Sequence, residues 1–191
     1  MRGQAHTVEA FVAAVLIVGG LVFATQATAV TPLSASTSNQ HIENQQEATV
    51  EGLLATAERE GMLQEAVLFW DPDEEEFQGV PDQGTYAAGP PNDFGEALNK
   101  TLLERQIAFN IDVHYAEPDG GVGTESMVRM GEPSDNAVAA TRALGVYDSS
   151  ELTSDGYEGE QLDGTEFYAD DIDDNSELYT VIEVEVVVWR K

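Results

Sequence analysis

The chain has 191 residues, room for one modest domain with an appendage rather than two full domains. It carries 36 Asp or Glu against 8 Lys or Arg, a formal charge of −28, and no cysteine. The acid excess argues against a nucleic-acid partner, which needs a basic footprint, and the missing thiols exclude disulfides, thiolate metal sites and cysteine nucleophiles together.

The charge is unevenly spread. Residues 1–31 hold one acid, Glu9, and one base, Arg2, so residues 32–191 carry the other 35 acids and 7 bases. Hydrophobic residues make up 42% of the chain, enough for the acidic part to read as a folded domain with an acidic surface.

Ala10 to Val30, AFVAAVLIVGGLVFATQATAV, runs for 21 residues without a formal charge. As an α-helix it would extend about 31 Å at about 1.5 Å per residue, the thickness of a hydrocarbon core. The segment is expected to be a transmembrane helix whose first partner is the lipid bilayer, with Gly19-Gly20 allowing close helix packing mid-span. Ala27-Thr28-Ala29 leaves a cleaved secretory signal as the alternative, although the apolar run exceeds the roughly 7–15 residues of an ordinary signal. Arg2 precedes the span and no further base follows until Arg59, which favours a cytoplasmic N-terminus and an extracytoplasmic acidic domain.

Beyond Pro32, Ile42, Thr49, Val50, Leu53, Leu54 and Ala57 recur near the helical period, predicting an amphipathic helix that Gly61 breaks or bends. Residues 62–70 read as a short helix or a helix-to-strand transition. Residues 71–92, with four of the seven prolines, read as loop. Asp93 is the expected N-cap of a helix through about Arg105, with Phe94, Leu98, Leu102 and Leu103 on one face.

Strand patterns follow. Phe109, Ile111, Val113 and Tyr115 alternate with Asn110, Asp112 and His114 over 107–115. Gly120, Gly121 and Gly123 connect this run to a short strand at 125–130. A third strand is expected over 136–147 and a fourth over 179–190, where Ile182, Val184, Val186 and Val188 share a face opposite Glu183 and Glu185. Short connections favour an antiparallel meander. The expected fold class is α+β: an N-terminal transmembrane helix continuing toward an amphipathic helix, packed on an antiparallel sheet of about four strands.

Chemistry is sparse in the sequence. His6, His41 and His114 are far apart, with none of the close spacing a zinc site uses, and no GxSxG elbow marks a hydrolase. Residues 148–177 hold 12 acids and no base, among them Asp170, Asp171, Asp173 and Asp174. The expected meaning is a solvated acidic loop, a weak calcium site being the lesser alternative. Asn99-Lys100-Thr101 fits the N-glycosylation pattern but falls within a predicted helix, so Asn99 is expected to be unoccupied. No catalytic residue, cofactor or metal ligand is assigned, and the expectation is a protein that is not an enzyme.

The opening residues carry the most specific pattern: Arg2-Gly3-Gln4-Ala5-His6-Thr7-Val8-Glu9-Ala10-Phe11. This resembles the type III signal of archaeal prepilins, in which a base and Gly precede the cut, Gln begins the mature chain, and an acid and a Phe open the apolar helix. Through Thr31-Pro32-Leu33-Ser34-Ala35-Ser36-Thr37 the chain is similar to uncharacterised pilin-like membrane proteins of haloarchaea, which place an acidic domain in high salt. The resemblance implies processing by a prepilin peptidase between Gly3 and Gln4, assembly with other pilin-like subunits through Glu9 and Phe11, and a pilin-like helix-on-sheet fold. One departure stands out. After such a cut Glu9 is the sixth mature residue and Ala10 separates it from Phe11, whereas the family places the acid fifth with Phe directly after it.

In the resemblance, Glu9 pairs with a neighbouring subunit's new N-terminal amine; read from the residues alone, it is equally a glutamate solvated by headgroups. The expected organisation is a short cytoplasmic leader at 1–9, a transmembrane helix at 10–30, a helical stalk at 31–70 and an acidic extracytoplasmic domain at 71–191. The expected role is a membrane-anchored structural protein acting by assembly or surface display, the alternative being a non-polymerising accessory or binding protein of the cell surface.

Overall fold

The computed structural model describes residues 33–81, 84–118 and 120–190. The chain divides after Ile42 into two units. Of the first, the described residues are helical; the second, from Glu43 onward, contains the core. The expected membrane span at 10–30 and the leader before it lie outside the described residues. Among the described residues, no helix is long and apolar enough to cross a membrane.

Helix α1 (Leu33–Arg59) buries Gln46, Val50, Leu54 and Ala57. Their spacing places them on one face, so the helix packs by a stripe while its glutamates stay wet. Gly61, at φ 81°, takes the left-handed conformation that ends the helix at low steric cost. The chain then enters α2 (Met62–Val67), which buries Leu63, Ala66 and Val67.

The stretch expected as pure loop contains a small hairpin, β1 (Trp70–Asp71) paired with β2 (Glu76–Phe77). Two-residue strands leave no alternation to detect. Their turn is held by the Asp71 carboxylate, which accepts from the backbone N–H of Asp73 at 3.0 Å and of Glu74 at 3.3 Å. Helix α3 (Asp93–Thr101) starts one residue after its cap, and that cap is Asn92 rather than Asp93. Asn92 follows two prolines in extended conformation, and its Oδ1 accepts from Gly95 N at 3.1 Å. A 3-10 turn, Leu103–Arg105, completes the expected helical run.

The main sheet consists of β3 (Ile107–Ala116), β4 (Val122–Arg129), β5 (Val138–Tyr147) and β6 (Leu178–Arg190), all antiparallel. Its order is β4-β3-β6-β5, not a meander. The last strand lies between β3 and β5 because its run of Val and Ile suits a site with neighbours on both sides. β5, with Ala139, Ala140, Ala143, Gly145 and the charged Arg142, suits an edge. The opposite edge is covered at Tyr86, whose N–H donates to Met127 O and whose carbonyl accepts from Arg129 N, each at 3.0 Å.

One sheet face is apolar and carries Phe109, Ile111, Val113, Ile182, Val184, Val186 and Val188, which form a single core with Val50, Leu54, Phe94 and Leu98 from the helices. The architecture is therefore α+β with a four-strand antiparallel sheet. At the edge of the helical layer, Arg142 donates to the Glu58 carboxylate through Nε at 2.7 Å and through Nη2.

Residues 148–177 join β5 to β6 and are fastened to α2 and the hairpin. Thr153 N donates to Leu68 O at 3.0 Å, Tyr168 OH to Val67 O at 3.1 Å, and Ser154 Oγ to Trp70 O at 2.5 Å. Ser154 is fully buried. Ser154→Ala is expected to cost about 1–2 kcal/mol in urea unfolding, because it strips a buried carbonyl of a donor. An unchanged midpoint would mean that this bond does not hold the loop.

Candidate functional site

The second face of the sheet is polar. Asp112 Oδ1 accepts from Ser126 Oγ and from Arg129 Nη2, both at 2.8 Å. Next along β3, His114 Nδ1 shares a hydrogen bond with Thr124 Oγ1 at 2.9 Å, and its Nε2 lies 3.5 Å from Glu185 Oε2. The strand register brings these groups together: Asp112 stands opposite Ser126 and Glu185, and His114 opposite Thr124 and Glu183. A hydroxyl, an imidazole and a carboxylate in sequence have the order of a nucleophile, base and orienting group. Here Thr124 is exposed, His114 and Glu185 are both partly exposed, and the imidazole–carboxylate contact is at the outer limit of a hydrogen bond. The array reads as cross-strand pairing of a wet sheet face.

A second feature lies where the hairpin meets the long loop. Trp70 contacts Phe77 edge-on at 5.5 Å between centroids and Tyr168 at 5.2 Å, while Phe167 and Tyr168 lie 4.0 Å apart. Tyr115 joins through Tyr168 at 5.5 Å, and Tyr179 through Phe167 at 6.1 Å. Tyr115 lies across Gly123, where a Cβ would fall 2.2 Å from its ring; the glycine on β4 makes room for the aromatic on β3. Above the cluster opens a depression of about 290 Å³ lined by Trp70, Phe167, Tyr168 and the side chains of Glu75, Glu125 and Glu166.

Burial shapes the ionisation of this region. It pushes the Tyr168 hydroxyl well above its ordinary value, with Glu125 and Tyr115 adding repulsion. It pushes Tyr179 up to about 12, helped by Asp170, Asp171, Asp148 and Asp163. It also raises Tyr115 and the carboxyl of Glu125. Because folding raises Tyr179, its contribution to stability is fully present below pH 10, the unfolded value, and is lost as pH rises through about 12. Alkaline titration is expected to show tyrosinate absorbance appearing together with loss of near-UV dichroism. Tyrosinate forming well before the dichroism changes would contradict this coupling.

Gly3, Gln4, His6, Glu9 and Phe11 lie outside the described residues. His41 is exposed on α1. Asn99 sits in the last turns of α3, where its Oδ1 accepts from Gly89 N at 3.1 Å. In the acidic run, Asp173 accepts from Asn175 N at 3.1 Å and Nδ2 at 3.2 Å, bonds that hold its carboxyl below the ordinary value. No group of three or more His, Asp or Glu able to hold a metal occurs among the described residues. The aromatic depression was not legible beforehand. Its members come from three separate segments, and only the density of aromatics at 167–168 within an acidic run hinted at it.

Fold and surfaces together define a class: an α+β domain with helices against one face of a four-strand antiparallel sheet and a predominantly acidic surface. Nothing among the curated proteins matches the chain, nor does any solved structure. The model of a family described as "Family of unknown function (DUF7288)" matches residues 2–188, and the chain belongs to that family.

Proposed function

We propose that the protein is a membrane-anchored structural subunit of the type IV pilin-like kind from a halophilic archaeon, acting by assembly or surface display rather than catalysis. The observation that carries this reading is the opening Arg2-Gly3-Gln4, followed by Glu9 and Phe11 at the head of an uncharged run. The fold is compatible with it, since the Val50, Leu54 and Ala57 stripe of α1 packs in one core with the antiparallel sheet. In this reading a prepilin peptidase cuts after Gly3, and the apolar helices leave the bilayer to pack with those of other pilin-like subunits. Glu9 sets register by pairing with a neighbour's N-terminal amine, a pairing that a low-dielectric surrounding strengthens. The domain sits outside the cell membrane, its acids facing salt.

A second reading has its own observation. Ala10 between Glu9 and Phe11 departs from the prepilin pattern and favours a single-pass anchor on an accessory or binding protein that never polymerises. The N-terminus and intact mass of the chain extracted from its native membrane separate the two. A chain beginning at Gln4 is expected. One retaining Arg2 and Gly3 would move the function to the anchored accessory protein, and a start near Val30 would overturn both readings.

A further inference from the structure

The depression beside the hairpin combines two features. Its wall is aromatic, made by Trp70, Phe167 and Tyr168. Its rim carries Glu75 from the β1–β2 turn, Glu125 from β4 and Glu166 from the β5–β6 loop, and no Lys, Arg or His lines it. The ion pairs of the described residues are Arg129–Asp112, Arg142–Glu58 and His114–Glu185, so all three rim carboxylates lack a basic partner there. Glu125 is half-buried on the core side of an edge strand, where a carboxylate without counter-charge is costly.

The chemistry narrows the guest. The glutamates do not converge into a metal cluster, and a small inorganic ion would surrender hydration for which three separated carboxylates and aromatic faces give little return. An alkylated ammonium group is bulky and weakly hydrated and needs no directional hydrogen bond. It is attracted to the faces of Trp, Tyr and Phe at short range and to carboxylates around them. A volume of about 290 Å³ is at the lower end for small-molecule sites, so the pit is sized for a head group with a short arm. The acidic rim would repel a phosphate attached to the same group, which favours a free solute over the head of a choline lipid.

We propose that the Trp70–Phe167–Tyr168 pit, rimmed by Glu75, Glu125 and Glu166, is a binding site for a small free organic cation bearing an alkylated ammonium. The site stands on its own geometry and does not depend on the assembly reading above.

Choline chloride titrated into the full-length protein tests it, replacing KCl so that ionic strength stays fixed, with tryptophan fluorescence as the readout. Trp70 is in the pit wall, whereas Trp189 is buried on β6 and supplies a constant background. A saturable change is expected, weakened about tenfold in Glu125→Gln and in Glu166→Gln. Glu151→Gln removes an equal charge from an exposed position outside the pit lining and is expected to bind like the parent. Glu166 is exposed, so its variant carries the test if Glu125→Gln fails to fold. A non-saturating response, the same response to NaCl in place of choline chloride, or equal binding by Glu166→Gln and the parent would overturn the proposal.

Discussion

Between about 10 mM and about 1 M KCl the melting temperature is expected to rise by roughly 10–20 °C, with most of the rise below about 0.3 M. The chain carries a formal charge of −28, and the ion pairs among the described residues are three isolated contacts, so its acids mostly face other acids. Two like charges about 6 Å apart repel by roughly 0.7 kcal/mol in water, and some ten such neighbours amount to on the order of 5 kcal/mol. A domain of this size gains roughly 2–4 °C per kcal/mol. Screening removes the penalty as the Debye length shrinks from about 30 Å to about 3 Å over that range.

Asp148 illustrates the effect. Its carboxyl is raised first by burial, then by Asp171, Asp163 and Glu177. A carboxyl raised by folding favours the folded state most below its unfolded value, and this advantage disappears as pH rises through the folded value. Mild acidification in dilute buffer is therefore expected to mimic part of the salt effect. Circular-dichroism melts across a KCl series at two pH values measure both, and a melting temperature flat in salt would sink the argument.

Gly95→Ala is expected to cost about 3 kcal/mol or more, a large fraction of a domain's stability. A Cβ at Gly95 would fall 1.8 Å from Pro90 O and 2.7 Å from Pro90 C and N, and one at Gly89 would fall 2.5 Å from Gly95 O. The two stretches therefore cross backbone on backbone, with no flexible side chain to yield. Pro90 is held by its ring, and Gly95 by its own hydrogen bond to Asn92. Relief requires α3 to lift, which exposes Phe94 and Leu98, both fully buried.

Gly52→Ala is the matched comparison. It lies on the exposed face of α1 with nothing within 4 Å of its would-be Cβ, and is expected to stabilise by roughly 0.5–1 kcal/mol. Urea unfolding of the pair distinguishes a steric crossing from ordinary helix propensity. Similar midpoints for both variants would show that the crossing is looser than described.

Strands were the most legible elements, because one-sided burial writes a period of two into the chain. Ile182, Val184, Val186 and Val188 against Glu183 and Glu185 marked β6 and its wet face, and β3 read the same way through Phe109, Ile111 and Val113. Strand order did not follow, since within the main sheet only β3 and β4 among the described residues are joined by a tight turn, closed by Glu117 N donating to Gly121 O at 3.1 Å. The other pairings depend on which strand can bury both of its edges, a property of the assembled sheet. Asn92 took the cap expected of Asp93 because a cap is defined by backbone conformation, and the prolines before it set that conformation. The pit was hidden for a related reason: Trp70, Glu125 and Phe167 share no local period, and it is hydrogen bonds from Thr153, Ser154, Asp155 and Tyr168 to residues 65–78 that draw the long loop onto α2 and the hairpin.

The central position of β6 also governs the order in which the domain can be completed. Until Leu178–Arg190 has been synthesised, the β3–β4 hairpin and β5 have no common neighbour, because each hydrogen-bonds to β6 and not to the other. A nascent chain therefore carries two sheet fragments that share no neighbour, and the sheet closes only when β6 pairs with both, Ile107 meeting Arg190 across most of the domain.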